Sequence, residues 1–398
     1  MRIFLSLFFI SMISMAKSLY LSQLPLPVAD IINLNTNECD KNCLKEYLKD
    51  GKVFSFISNY KNMTNDTNLS KDYETLKIKL NIFNTKKTNI IKIALMVPKN
   101  IIGRYTISTT NTILAYLLKK GVNFDFELFD SKDESLQNIQ DTANKIESEG
   151  FRFVIAPYTY KGVKRLLSIK SDLIYYIPTI NKNEITTQKT NFVFGGIDYE
   201  KQIEKLLVFT NDKIAIFADE SDMGFKLSSY IQSNNDTRII YKKIIPQKLT
   251  KFKSFLKYNK KLQGSSIFLN TPLVKTSLLA SQFRFYKIRP YALFSTQINY
   301  NPLLLNLTQY EDRKDMYIAN SIGKSDDALI STNKILDNNI FYDWINYSTS
   351  IGIDYIYTLY FNSEAQRLFD ENILNNQVNY DIKILKPTKS AFSEVTIY

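Results

Sequence analysis

Residues 90–159 repeat one pattern: a short apolar run, a helical stretch, then another apolar run. The runs read IIKIALMVP, VNFDFELFD and FRFVIAPYT, rich in Ile, Val and Phe and closed by Pro or a polar residue. Strands joined by crossover helices are buried on both faces and lose the apolar–polar alternation of a half-exposed strand. The pattern therefore predicts a parallel sheet covered on both sides. In such sheets ligands bind at the carboxyl ends of the strands, so the residues closing these runs are candidates for function.

The pattern continues with runs at 174–180 and 192–195, then restarts after a helix at 200–209. The second series has runs at 213–218, 238–244, 266–269, 291–294 and 316–319. Two wound sheets in tandem imply two lobes and a cleft between them. Helices are expected over 326–336 and 344–361, then short strands over 378–385 and 391–398.

The first residues bear on compartment. Met1-Arg2 is a basic start, 3–13 is an apolar stretch too short to span a bilayer, and Ser14-Met15-Ala16 offers small residues for cleavage. Residues 1–16 read as a signal peptide, 19–28 as extended chain, and the mature protein is expected to be periplasmic, with no transmembrane segment. The chain has two cysteines, Cys39 and Cys43. In an oxidising compartment this close pair reads as a disulfide, with two free thiols as the alternative. The chain has no His, so a zinc site at this pair lacks its usual further ligands, and no metal or cofactor is expected. The same lack removes the commonest general base.

An N-terminal extension, 17–88, is expected to be mainly helical. Residues 40–50 read as a short helix, 53–60 as helix or strand, and 61–70 as a polar linker. Leu69, Tyr73, Leu76, Leu80 and Phe83 form one helix stripe that either packs on the main domain or receives a partner helix. Asp66-Thr67-Asn68-Leu69-Ser70 matches an acidic-extended acceptor pattern and makes Asn68 a glycosylation candidate. The formal charge is +12, from 51 basic and 39 acidic residues. The lysines read as spread along the chain, without a run of five like charges, which points to compositional bias and not to a nucleic-acid partner.

Several blocks, in this order, resemble type I periplasmic binding proteins of the branched-chain amino-acid receptor kind. They are IKIALMVP, FDSKDESLQNIQDTANKIESEGFRFVIAPYT, YYIPTIN, FVFGGIDYEKQ, KIAIFADESDMG and SIFLNTP, and the resemblance covers about three quarters of the chain. It implies an α/β fold of two three-layer doubly wound lobes joined by three crossovers. Lobe one would hold 90–196 and 324–376, and lobe two 197–323 and 377–398. The chain departs from the receptors in two ways. About 70 residues precede the first strand after the leader, and the small residues that grip an amino acid are largely replaced. Such a chain looks more like the penicillin-binding-protein activator branch, in which the fold serves as a periplasmic protein-binding scaffold.

The resemblance places Asn100, Asp130, Ser131, Tyr158, Thr159, Asn181 and Asn183 at the cleft from lobe one. From lobe two it places Ser221, Asp222, Asn270, Thr271 and Thr296 there, with Asp219, Ser295 and Gln297 beside them. Tyr158 is expected to line or cap the cleft. Neutral hydrogen-bonding groups and helix N-termini would suit a small polar or anionic ligand. Two functions follow: a non-enzymatic envelope protein that docks another protein, or a receptor that passes a small polar solute to a transporter. A catalytic role for the near pair Glu220 and Asp222 is the remaining reading.

Overall fold

The computed structural model describes residues 31, 39–60, 66–80, 82, 90–233 and 235–395. The leader at 1–16, the extended reading of 19–28 and Phe83 lie outside the described residues. The chain divides into two compact units, 1–88 and 89–398.

The N-terminal unit contains helices Lys41–Lys49, Val53–Asn59 and Thr67–Lys79. Asp40 caps the first, its side chain accepting from Cys43 N at 2.9 Å, and Cys39 and Cys43 are joined by a disulfide. Leu44, Phe56, Ile57, Tyr60 and Leu69 form its core, and Tyr73, Leu76 and Leu80 pack against it. The stripe thus helps close the unit's own core, with Tyr60 and Tyr73 stacked 4.2 Å apart. The expected linker is shorter than its sequence suggested. Asp66 accepts from Asn68 N and Leu69 N, an N-cap that starts the third helix and leaves Asn68 exposed in its first turn.

The larger unit contains fourteen strands among its described residues. In chain order they are β1 (Ile91–Val97), β2 (Phe124–Asp130), β3 (Phe153–Ile155), β4 (Ile174–Ile177), β5 (Phe192–Phe194), β6 (Ile214–Asp219) and β7 (Ile239–Ile245). They continue as β8 (Ser266–Asn270), β9 (Ala292–Ser295), β10 (Met316–Asn320), β11 (Asn372–Leu374), β12 (Gln377–Asn379), β13 (Lys383–Pro387) and β14 (Phe392–Glu394). One sheet has the order β11-β12-β5-β4-β3-β1-β2 and the other β14-β13-β10-β9-β8-β6-β7. Strands β1–β5 and β6–β10 are parallel within their sheets; β11, β13 and β14 add antiparallel edges.

Side-chain alternation gives each sheet two covered faces. Ala94, Met96, Val154 and Tyr175 pack with Ile139, Ile146 and Val163 on one face of the first sheet. In the second, Ile214 and Ile216 pack with Ile203, Leu227 and Ile231, while Phe217 meets Phe255 and Phe283 on the other side. Helix Trp344–Ile356 is buried along almost its whole length in the first lobe and continues as a π-helical turn over Tyr357–Phe361.

The chain passes between sheets after β5, after β10 and after β12. The last passage differs from expectation. Gln377 in β12 pairs with Phe194 in β5, so 377–379 belongs to the first sheet and the crossing falls at 380–382. The expected strand at 378–385 is therefore two strands in different sheets. Close backbone approach marks the first passage. A Cβ on Gly196 would sit 2.2 Å from the carbonyl carbon of Ile180, a distance only glycine allows.

Candidate functional site

The cleft contains a cavity of about 450 Å³. The carboxyl ends of the second sheet supply Asp219, Ser221, Asn270, Thr271 and Gln297, with Met223 and Tyr300 beside them. The first lobe contributes Arg104 and Tyr105, at the start of helix Tyr105–Lys120, and Tyr342 to Ile345 at the start of helix Trp344–Ile356.

Each wall forms for a local reason. Ser221 caps helix Asp222–Gln232, accepting from Gly224 N at 3.0 Å, and donates to Asp219 Oδ1 at 2.6 Å. A Cβ on Gly224 would meet Asp219 Oδ1 at 2.4 Å, so the helix can start this close to β6 only with glycine there. Asp343 caps the other helix, accepting from Ile345 N at 3.0 Å and Asn346 N at 3.2 Å. Burial raises the Asp343 carboxyl above its ordinary range, opposed by these two N–H groups and by Arg104. Burial pushes the Tyr300 hydroxyl up to about 12, with Tyr342 adding to the rise, so it remains a protonated donor at the cavity. Among the described residues, the buried atoms Asn270 Oδ1 and Thr296 Oγ1 have no hydrogen-bond partner.

The expected site residues separate by lobe. Ser221, Asn270 and Thr271 line the cavity. Asp222 sits one residue along, exposed in the first helical turn, and Thr296 is fully buried behind Gln297. The seven from the first lobe do not line it. Asn100 is exposed in the short helix Lys99–Ile102. Asp130 accepts from Lys99 N and Lys132 N, tying two loops together. Tyr158 is a correction: it is fully buried in the core and donates to Ser131 Oγ at 2.6 Å, whose own hydroxyl lies within reach of Val97 O and Asp133 O. Burial holds the Tyr158 hydroxyl well above its usual range. Thr159 gives both its N–H and its hydroxyl to Glu134, at 2.7 and 2.5 Å. Asn181 is buried and donates to Gly196 O, and Asn183 reaches Asp198 at 3.3 Å.

Sequence reasoning missed Glu134, Arg104 and Asp343. Asp343 had a readable signal, an acid directly before an apolar helix. Glu134 and Arg104 had none, since each acts on residues distant in the chain. The near pair Glu220 and Asp222 is not a matched couple: Glu220 accepts from Gln247 N and Asp222 stands exposed. Among the described residues, no group of three acids or cysteines could hold a metal ion, and no helix is long and apolar enough to cross a membrane.

Comparison with solved structures gives the class: the chain has the type I periplasmic-binding fold, two three-layer lobes around a cleft. A protein of Rhodospirillum rubrum described as a branched-chain amino acid ABC transporter aligns at 9% identity over 77% of this chain and 100% of its own, with a TM-score of 0.57. The substrate-binding protein LivJ of Streptococcus pneumoniae, solved with isoleucine, aligns at 10% identity over 77% and 99%, with a TM-score of 0.52. LpoA of Haemophilus influenzae aligns at 11% identity over 90% of this chain and 72% of its own, with a TM-score of 0.52. No family model and no curated protein matches the chain.

Proposed function

We propose that the chain is a non-enzymatic, exported envelope protein that uses a modified binding-protein fold to dock another protein at its cleft. The observation that carries this reading is the state of the first lobe. Its strand-end polar groups are engaged within the lobe, with Tyr158 on Ser131, Thr159 on Glu134 and Asn181 on Gly196. Groups already paired internally have little hydrogen bonding to offer a small ligand. A second support is the reach of the LpoA alignment. Ninety percent of the chain exceeds what 89–398 contains, so that alignment extends into the N-terminal unit.

The receptor reading rests on the other lobe. A cavity of about 450 Å³ that holds Arg104 as well as Asp219 and Asp343, beside the unpartnered Asn270 Oδ1, has the size and mixed charge for a small zwitterionic or polar solute.

One experiment separates them. Photo-crosslinking residues placed at Tyr105 and Met223 should trap one envelope protein in intact cells, while a panel of amino acids leaves the melting temperature unchanged. A ligand at a hundred times its Kd stabilises by about 2.7 kcal/mol. A shift of that size with any amino acid, and no crosslink, would establish the receptor instead.

A further inference from the structure

Lysines occur throughout this chain, but the acids that balance them do not. Residues 237–310 hold thirteen of the 51 basic residues and none of the 39 acidic ones, so this segment carries the whole of the +12 net charge and the rest of the chain is close to neutral. The expectation of evenly spread charge is corrected by that count.

Around the buried strands β8 and β9, parts of the segment build one outer layer of the second lobe. Residues 246–264 run beside helix Leu273–Phe285 and the loop after it. Lys275 Nζ donates to Pro246 O at 3.0 Å, Gln282 joins Phe252 N and Thr250 O, and Gln263 joins Lys287 O and Arg289 N. The two strips therefore share one outward surface. Lys248, Lys251, Lys253, Lys257, Lys260 and Lys261 are exposed on the first strip. Arg284, Lys287 and Arg289 are exposed on the second. Among the described residues, only Arg284 of these nine has an acid within ion-pairing distance, Asp312. The bordering acids are Glu220, which accepts from Gln247 N, and Glu311, Asp312 and Asp315, which line one cavity with Arg284, Lys287 and Arg289 at the edge of the second strip.

Exposed rings rise among these cations. Tyr258 is 84% exposed, Phe285 76% and Tyr291 56%, and Lys257 Nζ lies 4.6 Å from the Tyr258 ring centre. Protein interfaces are depleted in lysine. Nucleic-acid surfaces favour arginine's planar fork, whereas this segment has ten lysines to three arginines. Aromatic rings with flanking lysines suit the headgroup zone of a bilayer, where rings sit at the interface and ammonium groups meet anionic lipid.

We propose that this lysine-rich layer of the second lobe docks the protein on the surface of a membrane rich in anionic phospholipid. The surface is separate from the cleft, so it tethers the protein without occupying the site described above.

The test is sedimentation of the full chain with vesicles of phosphatidylcholine alone, or of equal parts phosphatidylcholine and phosphatidylglycerol. Binding is expected only to the anionic vesicles, and it should weaken with salt. Replacing Lys257, Lys260 and Lys261 by Gln should lower partitioning by about tenfold or more. Phe285→Ala and Tyr258→Ala should lower it with the salt dependence unchanged. The same triple change at Lys161, Lys164 and Lys170 in the first lobe should have no effect. Absence of binding to the anionic vesicles, equal binding to both vesicles, or equal loss in the control triple would overturn the proposal. So would retention by an acidic protein or a nucleic acid through these lysines without vesicle binding.

Discussion

At the carboxyl ends of the first sheet, polar side chains are turned on one another. At the ends of the second, several face an open cavity or stand buried without partners. Both edges start helices in a similar way, with Thr159 accepting from Gly162 N and Ser221 from Gly224 N. The difference is what lies beside each start. In the first lobe the longer Glu134 arm crosses from the preceding loop and takes both groups of Thr159, while Tyr158 fills the space beneath. In the second, Asp219 comes from the strand itself, bonds only Ser221 among the side chains of the described residues, and leaves room above it. Two edges of the same architecture can thus be closed or open through a few side chains.

The largest effect is expected from Gly162→Ala. The added Cβ would sit 2.3 Å from Glu134 Oε1 and 2.6 Å from the Tyr158 ring, and should cost about 3 kcal/mol in a denaturant titration. A variant melting like the parent would show that the first edge is not tightly closed. Next comes Glu134→Ala, which strips Thr159 of two hydrogen bonds and should cost about 2 kcal/mol. Its counterpart Ser221→Ala loses one cap and should cost about 1 kcal/mol. Equal losses from these two would break the contrast between the edges.

The smallest effect belongs to Asp343→Asn. Burial raises this carboxyl, so the folded state holds its proton more tightly than the unfolded chain. The stabilisation from that proton is present at low pH and is lost as pH rises through the raised value. Asparagine still caps the helix, so the variant should be more stable by under about 1 kcal/mol near neutrality. That lead should vanish below about pH 4, where the parent is protonated in both states. Melting temperatures at the two pH values measure it, and a lead that grows in acid would reverse the sign assigned here.

The central parallel strands were legible because burial on both faces favours apolar runs such as IALMV and IAIFA. Strands β12 to β14 were legible only in part, as two runs at 378–385 and 391–398 with the break between sheets unseen, and β11 was missed. They lie at sheet edges, are three to five residues long, and include exposed positions such as Asn372 and Leu374, so the apolar signal fades. At the cleft, position along a strand indicated which residues reach its end, but not whether they face outward. Tyr158 shows why. Whether it points to solvent or core depends on Ser131, 27 residues away, and no local pattern encodes that pairing.

The oxygen of Gly195 carries a consequence for motion. It accepts from Ser348 Oγ at 2.8 Å and from Tyr380 Oη at 2.5 Å, so a residue of the long buried helix and a residue at the third passage grip the same point of the first passage. A hinge held this way cannot swing by twisting one strand at a time. The Ser348 bond lies within the first lobe and fixes that point, so a change in the angle between the lobes must carry the first and third passages together or release the Tyr380 bond, at about 1 kcal/mol. The jaws of this protein are therefore geared to turn as one piece, and Tyr380→Phe is the change that would loosen the gear.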